Sequence, residues 1–284
     1  MKDAITIENL PAEAYSYIQG LAGKTIVVKY GGNAMINQAL KRAVMEDVVL
    51  LSRTGIKIVL VHGGGPEISN MLKIMGKETE FINGLRYTDK ETAEIAAMVL
   101  AGKVNKNLVS LIGLCGGKAI GLCGLDGGML QVEKMRSEVD LGFVGEIVSI
   151  DPSPVTMTLE NGFIPVIATV GADRDGQTYN INADTAAAAI AGALKAEKLV
   201  SMTDVKGLLR EKDNEDSLIS SISTAEIPEL IEAGIISGGM IPKIKSCVDG
   251  IKSGIGEAVI IDGRTVHSLL DVLLSGRAVG TRIY

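Results

Sequence analysis

Cysteine is scarce in this chain. Cys115, Cys123 and Cys247 are too few and too scattered for a disulfide scaffold or a zinc site, and they suit a reducing compartment. Aromatic residues make up only 3%, and no basic run interrupts a formal net charge of −6. Nucleic-acid binders usually show a basic patch with stacking rings, so no nucleic acid is expected as a partner. Long apolar runs are missing too. The longest continuous stretch of apolar and small residues, Ala186 to Leu194, falls far short of the roughly 20 residues that span a bilayer. No membrane contact is expected. Met1-Lys2-Asp3-Ala4 leads into polar residues, which do not read as a signal peptide and set the expectation of a cytoplasmic protein. No proline- or serine-rich linker divides the chain, and no short repeat is apparent.

Glycine is abundant, with 34 residues in 284, where an average chain of this length carries roughly 20. The excess sits at strand ends, which favours ligand loops over linkers. The length suits one large α/β domain or two lobes. Apolar residues at 46% and charged residues at 22% are ordinary for a globular protein.

Residues 5–20 read as an amphipathic helix, with Ile5, Ile7, Leu10, Tyr15 and Ile18 apolar and Pro11 interrupting or kinking it. From Lys24 a strand–turn–helix rhythm sets in. It predicts strands at 25–30, 57–61, 164–170, 198–202, 257–262 and 279–283. Helices are predicted at 39–53, 66–75, 90–113, 184–194, 224–233, 241–253 and 266–274. Residues 80–88 read as a hairpin around Asn83-Gly84. Residues 118–150 read as antiparallel strands flanking the main sheet. Alternating strands and helices predict a mostly parallel sheet covered on both faces. The expected whole is a helical extension at 1–23 and a fold at 24–284 whose lobes meet near residue 175.

Two glycine clusters end consecutive apolar runs, Thr25-Ile-Val-Val-Lys29-Tyr-Gly31-Gly32-Asn33 and Ile58-Val-Leu-Val-His62-Gly63-Gly64-Gly65-Pro66. Glycine lets backbone approach a ligand closely, and the following helix points free N–H groups at the same spot. Proline suits the first helical position. Lys29 is either a lysine snorkelling from a strand end or a cation placed on a transferring phosphoryl group. His62 is either a base or a packed, hydrogen-bonded residue. Arg86 is either a solvent-facing hairpin arginine or a bidentate carboxylate ligand. In Asn180-Ile-Asn182-Ala-Asp184-Thr185, Asn182 or Asp184 caps a helix, and an inward Asp184 is able to hold two lysines. Thr203-Asp204-Val205-Lys206-Gly207-Leu208-Leu209 follows a strand and is a candidate nucleotide loop. Lys243, after Ser237-Gly238-Gly239, stands in a first helical turn that the helix dipole makes unfavourable for a cation; its position hints at an anion. Gly20-Leu-Ala-Gly23-Lys24-Thr25 mimics a P-loop ending, but it has the wrong glycine spacing and its strand comes after. It reads as a turn.

Together, Lys-Tyr-Gly-Gly-Asn-Ala-Met, His-Gly-Gly-Gly-Pro, Asn-Gly-Leu-Arg, Asn-Ile-Asn-Ala-Asp and Gly-Gly-Met-Ile-Pro-Lys resemble the amino-acid kinase family over residues 24–284. The resemblance implies a three-layer αβα sandwich, with an acyl amino acid in the lobe 24–175 and ATP in the lobe 176–284. It implies ATP with Mg²⁺ as phosphoryl donor and the side-chain carboxylate of N-acetyl-L-glutamate as acceptor, in arginine biosynthesis. By position, Lys29 and Lys243 would flank the phosphoryl group and Asp184 would orient both. Gly31 and Gly32 would bind phosphoryl oxygens. Gly64, Gly65, Arg86 and Asn180 would hold the substrate, and Asp204, Val205, Lys206, Gly207, Leu208 and Leu209 would line the nucleotide site. No residue would bind metal directly. Residues 1–23 resemble the extra helix of arginine-inhibited homohexamers, trimers of dimers, with Tyr17, His267 and Gly280 as effector residues. Arg277-Ala278 departs from the acidic or small residue and glycine expected there.

Readings that compete are a kinase for glutamate or an aminoadipate derivative, a non-catalytic arginine sensor, and a dehydrogenase. The sensor would be expected to lack Lys29, Asp184 or Lys243. The dehydrogenase would need a Gly-x-Gly-x-x-Gly turn after the first strand, and Lys29-Tyr-Gly-Gly-Asn does not supply one.

Overall fold

A computed structural model describes residues 7–211 and 214–284. After a 3-10 turn at Ile7–Asn9, α1 spans Ala12–Leu21. Pro11 stands just before α1, so it starts this helix rather than kinking a longer one. Ile5, read as part of the same helix, lies outside the described residues.

Next come β1 (Thr25–Tyr30), α2 (Gln38–Arg53), β2 (Lys57–His62) and α3 (Gly65–Ile74). The hairpin β3 (Phe81–Ile82) and β4 (Leu85–Arg86) turns at Asn83 and Gly84, both at positive φ. A helix over Lys90–Leu114 consists of α4 (Lys90–Ala97), a π-helical segment Met98–Val104 and α5 (Asn105–Leu114). Then follow β5 (Ala119–Cys123), β6 (Leu130–Lys134), β7 (Gly145–Ile150), α6 (Ser153–Glu160), β8 (Ile164–Ala168), β9 (Val170–Ala172) and β10 (Thr178–Asn180). The last part holds α7 (Ala183–Ala193), β11 (Lys198–Thr203), β12 (Ser221–Ile222), α8 (Ile227–Glu232), α9 (Met240–Lys252), β13 (Glu257–Asp262), α10 (Ser268–Leu274) and β14 (Thr281–Ile283).

The main sheet has eight strands in the order β12-β14-β13-β11-β1-β2-β8-β5. The block from β13 to β5 is parallel, and β14 joins β13 antiparallel. A second sheet, β10-β9-β6-β7, stands apart from it. This corrects the flanking reading of residues 118–150. Ala119–Cys123 pairs parallel with β8 inside the main sheet, and only β6 and β7 form the expected antiparallel pair. β5 was hard to place because it is an edge strand, half-buried along most of its length, without the continuous burial of a central parallel strand. The strand expected at 164–170 breaks after Ala168, and Val170–Ala172 enters the second sheet. Helix α6 is not among the helices predicted from the sequence; Pro154 occupies its first turn, where the missing N–H has no helical partner to lose.

Strand alternation decides where side chains go. In β1, Ile26, Val28 and Tyr30 join a core shared with α2, α3, α4, α5 and α10. Val27 joins the opposite core, with Ala186, Ala187 and Ala191 of α7 and Ile244 and Cys247 of α9. Lys29 has the parity of Val27, so it leaves the strand toward α7 and α9. The helix Lys90–Leu114 is long and apolar enough to cross a membrane, but it sends Ile95, Val99, Leu100, Leu108 and Ile112 into the first core.

β1 pairs with β2 on one side and β11 on the other. The chain thus completes one half of the sheet, with β2, β5 and β8, before it returns beside β1 to build the other with β11 to β14. A crevice opens at the carboxyl ends of strands where the order reverses in this way. Lys29 and the first glycine turn sit at that point.

Candidate active site

Lys29 and Asp184 are almost buried, with side-chain exposures of 8% and 15%, and their Nζ and Oδ1 lie 3.0 Å apart. Lys243 Nζ approaches Oδ2 of the same carboxylate at 3.3 Å. One aspartate, at the start of α7, therefore clamps two lysines, one from strand β1 and one from helix α9. Asn182 frees it to do so. Asn182 Oδ1 accepts the N–H groups of Asp184 and Thr185, so Asn182 caps α7 and Asp184 turns inward. Burial opposes the charged Asp184 carboxylate, but attraction to Lys29 and Lys243 and their hydrogen bonds hold it below the usual carboxylate range. Ser201, opposite Lys29 on β11, donates to Asp184 Oδ1 at 3.4 Å. Ser201 was not singled out in the sequence, and only the β1–β11 register reveals it.

The first glycine turn closes over this cluster. Gly31 is so near that a Cβ there would lie 3.2 Å from Lys29 Nζ. Gly32 has φ +71, and a Cβ would sit 2.7 Å from Asp204 Oδ1. That conformation and that gap both require glycine. Asp204, the first residue of the expected nucleotide loop, thus faces the turn. The rest of the loop divides. Val205 and Lys206 are exposed or partly so, and Lys206 pairs with Glu215. Leu208 is 3% exposed and packs in the second core, with its N–H bonded to Thr281 Oγ1.

The second glycine turn lines a cavity of about 170 Å³, together with Arg86, Asn180 and Thr169. A Cβ on Gly64 would lie 2.6 Å from Leu100 Cδ2. Arg86 is 5% exposed, so it is not a solvent-facing hairpin arginine. Its Nη2 donates to Gly65 O at 2.8 Å and Ser69 Oγ at 2.9 Å, and the guanidinium lies 4.7 Å from the Phe81 ring centroid. These contacts fix the fork at the cavity wall and clamp the turn itself. Gly64, Gly65, Arg86 and Asn180 therefore line one cavity.

His62 is fully buried, and burial pushes its pKa down to about 4. Nδ1 lies 2.8 Å from Gly63 O, and Nε2 lies 3.1 Å from Asn105 Nδ2. Both ring nitrogens are engaged in a neutral imidazole that donates to Gly63 and accepts from Asn105, so the packed reading holds. Asn105, 1% exposed, also donates to Val166 O. It was missed in the sequence, where the one signal is a polar residue in the buried phase of a long apolar helix.

The three expected effector residues part company. Tyr17 lines a cavity of about 520 Å³ with Glu197, Glu257, Arg277 and Arg282, and its hydroxyl packs on Gly276. Gly280 has φ +75 and lies against the carbonyl of Ile260, where a Cβ would approach to 2.0 Å. It shapes the β13–β14 contact. His267 faces a different cavity; its Nδ1 bonds Asp47 Oδ1 at 2.5 Å. Burial pushes the Asp47 carboxyl up to about 6, against the pull of His267.

The amino acid kinase family matches residues 24–262. An acetylglutamate kinase from Brachyspira hyodysenteriae is 53% identical over 272 residues, covering 96% of this chain and 94% of the relative. An N-acetylglutamate synthase from Neisseria gonorrhoeae, solved with coenzyme A and N-acetyl-glutamate, superposes with a TM-score of 0.83 at 27% identity over 95% of this chain. The chain spans 62% of the length of that synthase. The same synthase solved with coenzyme A and L-arginine gives a TM-score of 0.78 at 26% identity, covering 95% of this chain and 63% of the synthase.

Proposed function

The chain belongs to the amino acid kinase family, and from that premise we propose that it transfers the γ-phosphoryl group of ATP to the side-chain carboxylate of N-acetyl-L-glutamate. The observation that carries this reading is the clamp of Lys29 and Lys243 on Asp184 beside the cavity of Arg86 and Asn180. A glutamate-type carboxyl has a reference pKa of about 4.3 and is ionised at neutral pH. It attacks without a general base, which agrees with the neutral, fully engaged His62. The remaining difficulty is to bring two anions together in line. Arg86 and Asn180 hold the acceptor, and the N–H groups of the Gly64-Gly65 turn help to seat it. Lys29, Lys243 and the Gly31-Gly32 turn take up charge on the moving phosphoryl oxygens. Among the described residues no three His, Cys, Asp or Glu side chains converge on a metal site. Mg²⁺ enters as part of the nucleotide substrate and neutralises its phosphates.

In this reading residues 24–175 form the acceptor lobe and 176–284 the nucleotide lobe of a cytoplasmic biosynthetic enzyme. The test is an ATP-dependent acyl-phosphate assay trapped with hydroxylamine, comparing N-acetylglutamate, glutamate and carbamate. N-acetylglutamate is expected to give the highest kcat/KM; a preference for either other acceptor overturns the assignment.

We further propose that L-arginine inhibits the enzyme from the cavity of Tyr17, through α1 helices that interlace dimers into a hexamer. The support is the exposed Tyr17 and the carboxylates of Glu197 and Glu257 that line the cavity, which pair with Lys24 and with Lys198 and Arg282 and would exchange those cations for the effector's guanidinium. Deleting residues 1–20 is expected to yield dimers insensitive to arginine. Light scattering that still reports a hexamer would sink the interlacing.

A further inference from the structure

Lys243 shows how this fold treats a cation at the wrong end of a helix. It stands in the first turn of α9, where the helix dipole is unfavourable to positive charge, and Asp184 compensates it. Lys41 stands in the first turn of α2 in the same predicament. Only 9% of Lys41 is exposed, yet its ammonium makes no hydrogen bond or ion pair with any described residue. The stem is packed away while the ammonium keeps solvent contact and lacks a protein counter-charge, which leaves it available to an anion.

Lys41 lines a cavity of about 170 Å³ with Gln38, Glu67, Lys103, Asn107 and Met35. Glu67 is already neutralised by Lys103, whose Nζ lies 2.7 Å from its Oε2. The Gln38 and Asn107 amides add donors without charge. The lining thus has one uncompensated positive charge, two amides and no free carboxylate. The cavity shares no lining residue with the one that holds Arg86 and Asn180. It borders the elements that carry both glycine turns. Met35 ends the 3-10 turn that begins at Gly32, and Glu67 follows Gly65-Pro66.

We propose that Lys41, Gln38 and Asn107 form a binding site for a small oxyanion, a carboxylate or a phosphate, separate from the reaction centre. The ammonium and the N-terminal end of α2 both favour such a ligand. Its occupation ties the start of α2 to α3 and α5, next to both glycine turns.

The test is isothermal titration of the full chain at constant ionic strength, with inorganic phosphate in one arm and acetate in the other. Wild-type protein, Lys41→Met and Lys243→Ala are compared. At least one anion is expected to bind saturably to wild type, with affinity about tenfold lower or worse in Lys41→Met and retained in Lys243→Ala. The arm that shows this pattern identifies the oxyanion. Lys41→Gln, which keeps a polar stem, is expected to lose binding in the same way and serves if the methionine variant folds poorly. Equal affinity in wild type and both Lys41 variants overturns the site. So does loss only in Lys243→Ala, which assigns the anion to the reaction cleft, or no saturable binding of either anion.

Discussion

Lys243→Ala is expected to lower kcat by about two to three orders of magnitude while KM for the acceptor changes by no more than about threefold. Removing one preorganised donor aimed at developing charge costs about that much. In the proposed reading Arg86 and Asn180 hold the acceptor, and their cavity does not include Lys243. A loss confined to the transition state appears in kcat and kcat/KM together. Steady-state kinetics with hydroxylamine trapping read both constants. An unchanged kcat would remove Lys243 from the mechanism.

Asp184→Asn strikes the same cluster from its centre. It leaves Lys29 and Lys243, with side chains 8% and 28% exposed, facing each other without an anion. Breaking a buried pair by removing one partner costs about 3–5 kcal/mol, and here two cations lose theirs. The urea midpoint is expected to fall by an amount corresponding to at least about 3 kcal/mol. Turnover is expected to fall at least as far as in Lys243→Ala, because both lysines lose their orientation. The pH dependence has a definite sign. The folded pKa of Asp184 is depressed. Its stabilisation is therefore fully present above the unfolded carboxylate value of about 3.9 and is lost as pH falls through the folded value. The stability gap between wild type and variant is expected to be constant near neutrality and to narrow below about pH 4. A variant as stable as wild type at pH 7, or a gap that widens in acid, would contradict the clamp.

Much of this centre could be read from local chemistry. Lys29 ends a continuous apolar run beside two glycines, and a charged residue there needs a reason. Lys243 sits against a helix dipole. Asp184 was harder, because Asn182 and Asp184 suit a helix cap equally well. The choice depends on which side chain meets the first free N–H groups, and the geometry gives that task to Asn182. Arg86 was ambiguous for a related reason. A short hairpin supplies only Phe81 beside Arg86, and the rest of its enclosure comes from Ser69 and Gly65, which only the fold brings near. Ser201 and Asn105 left almost no trace, since their roles depend on strand register and on packing across the sheet. The same limit explains β5. Pairing partners in a parallel sheet lie far apart in sequence, so an edge strand carries no local mark of its neighbour.

The two faces of β1 have a consequence for how this gene can change. Substitutions among Ile26, Val27 and Val28 alter packing by degrees. A single-codon insertion or deletion between Thr25 and Lys29 does something different in kind. It reverses the parity of everything downstream in the strand. Lys29 would then point into the apolar layer beneath α2, and Tyr30 would face Asp184. Insertions are therefore expected to survive selection in surface loops and to be absent from these few codons, whatever amino acid they add.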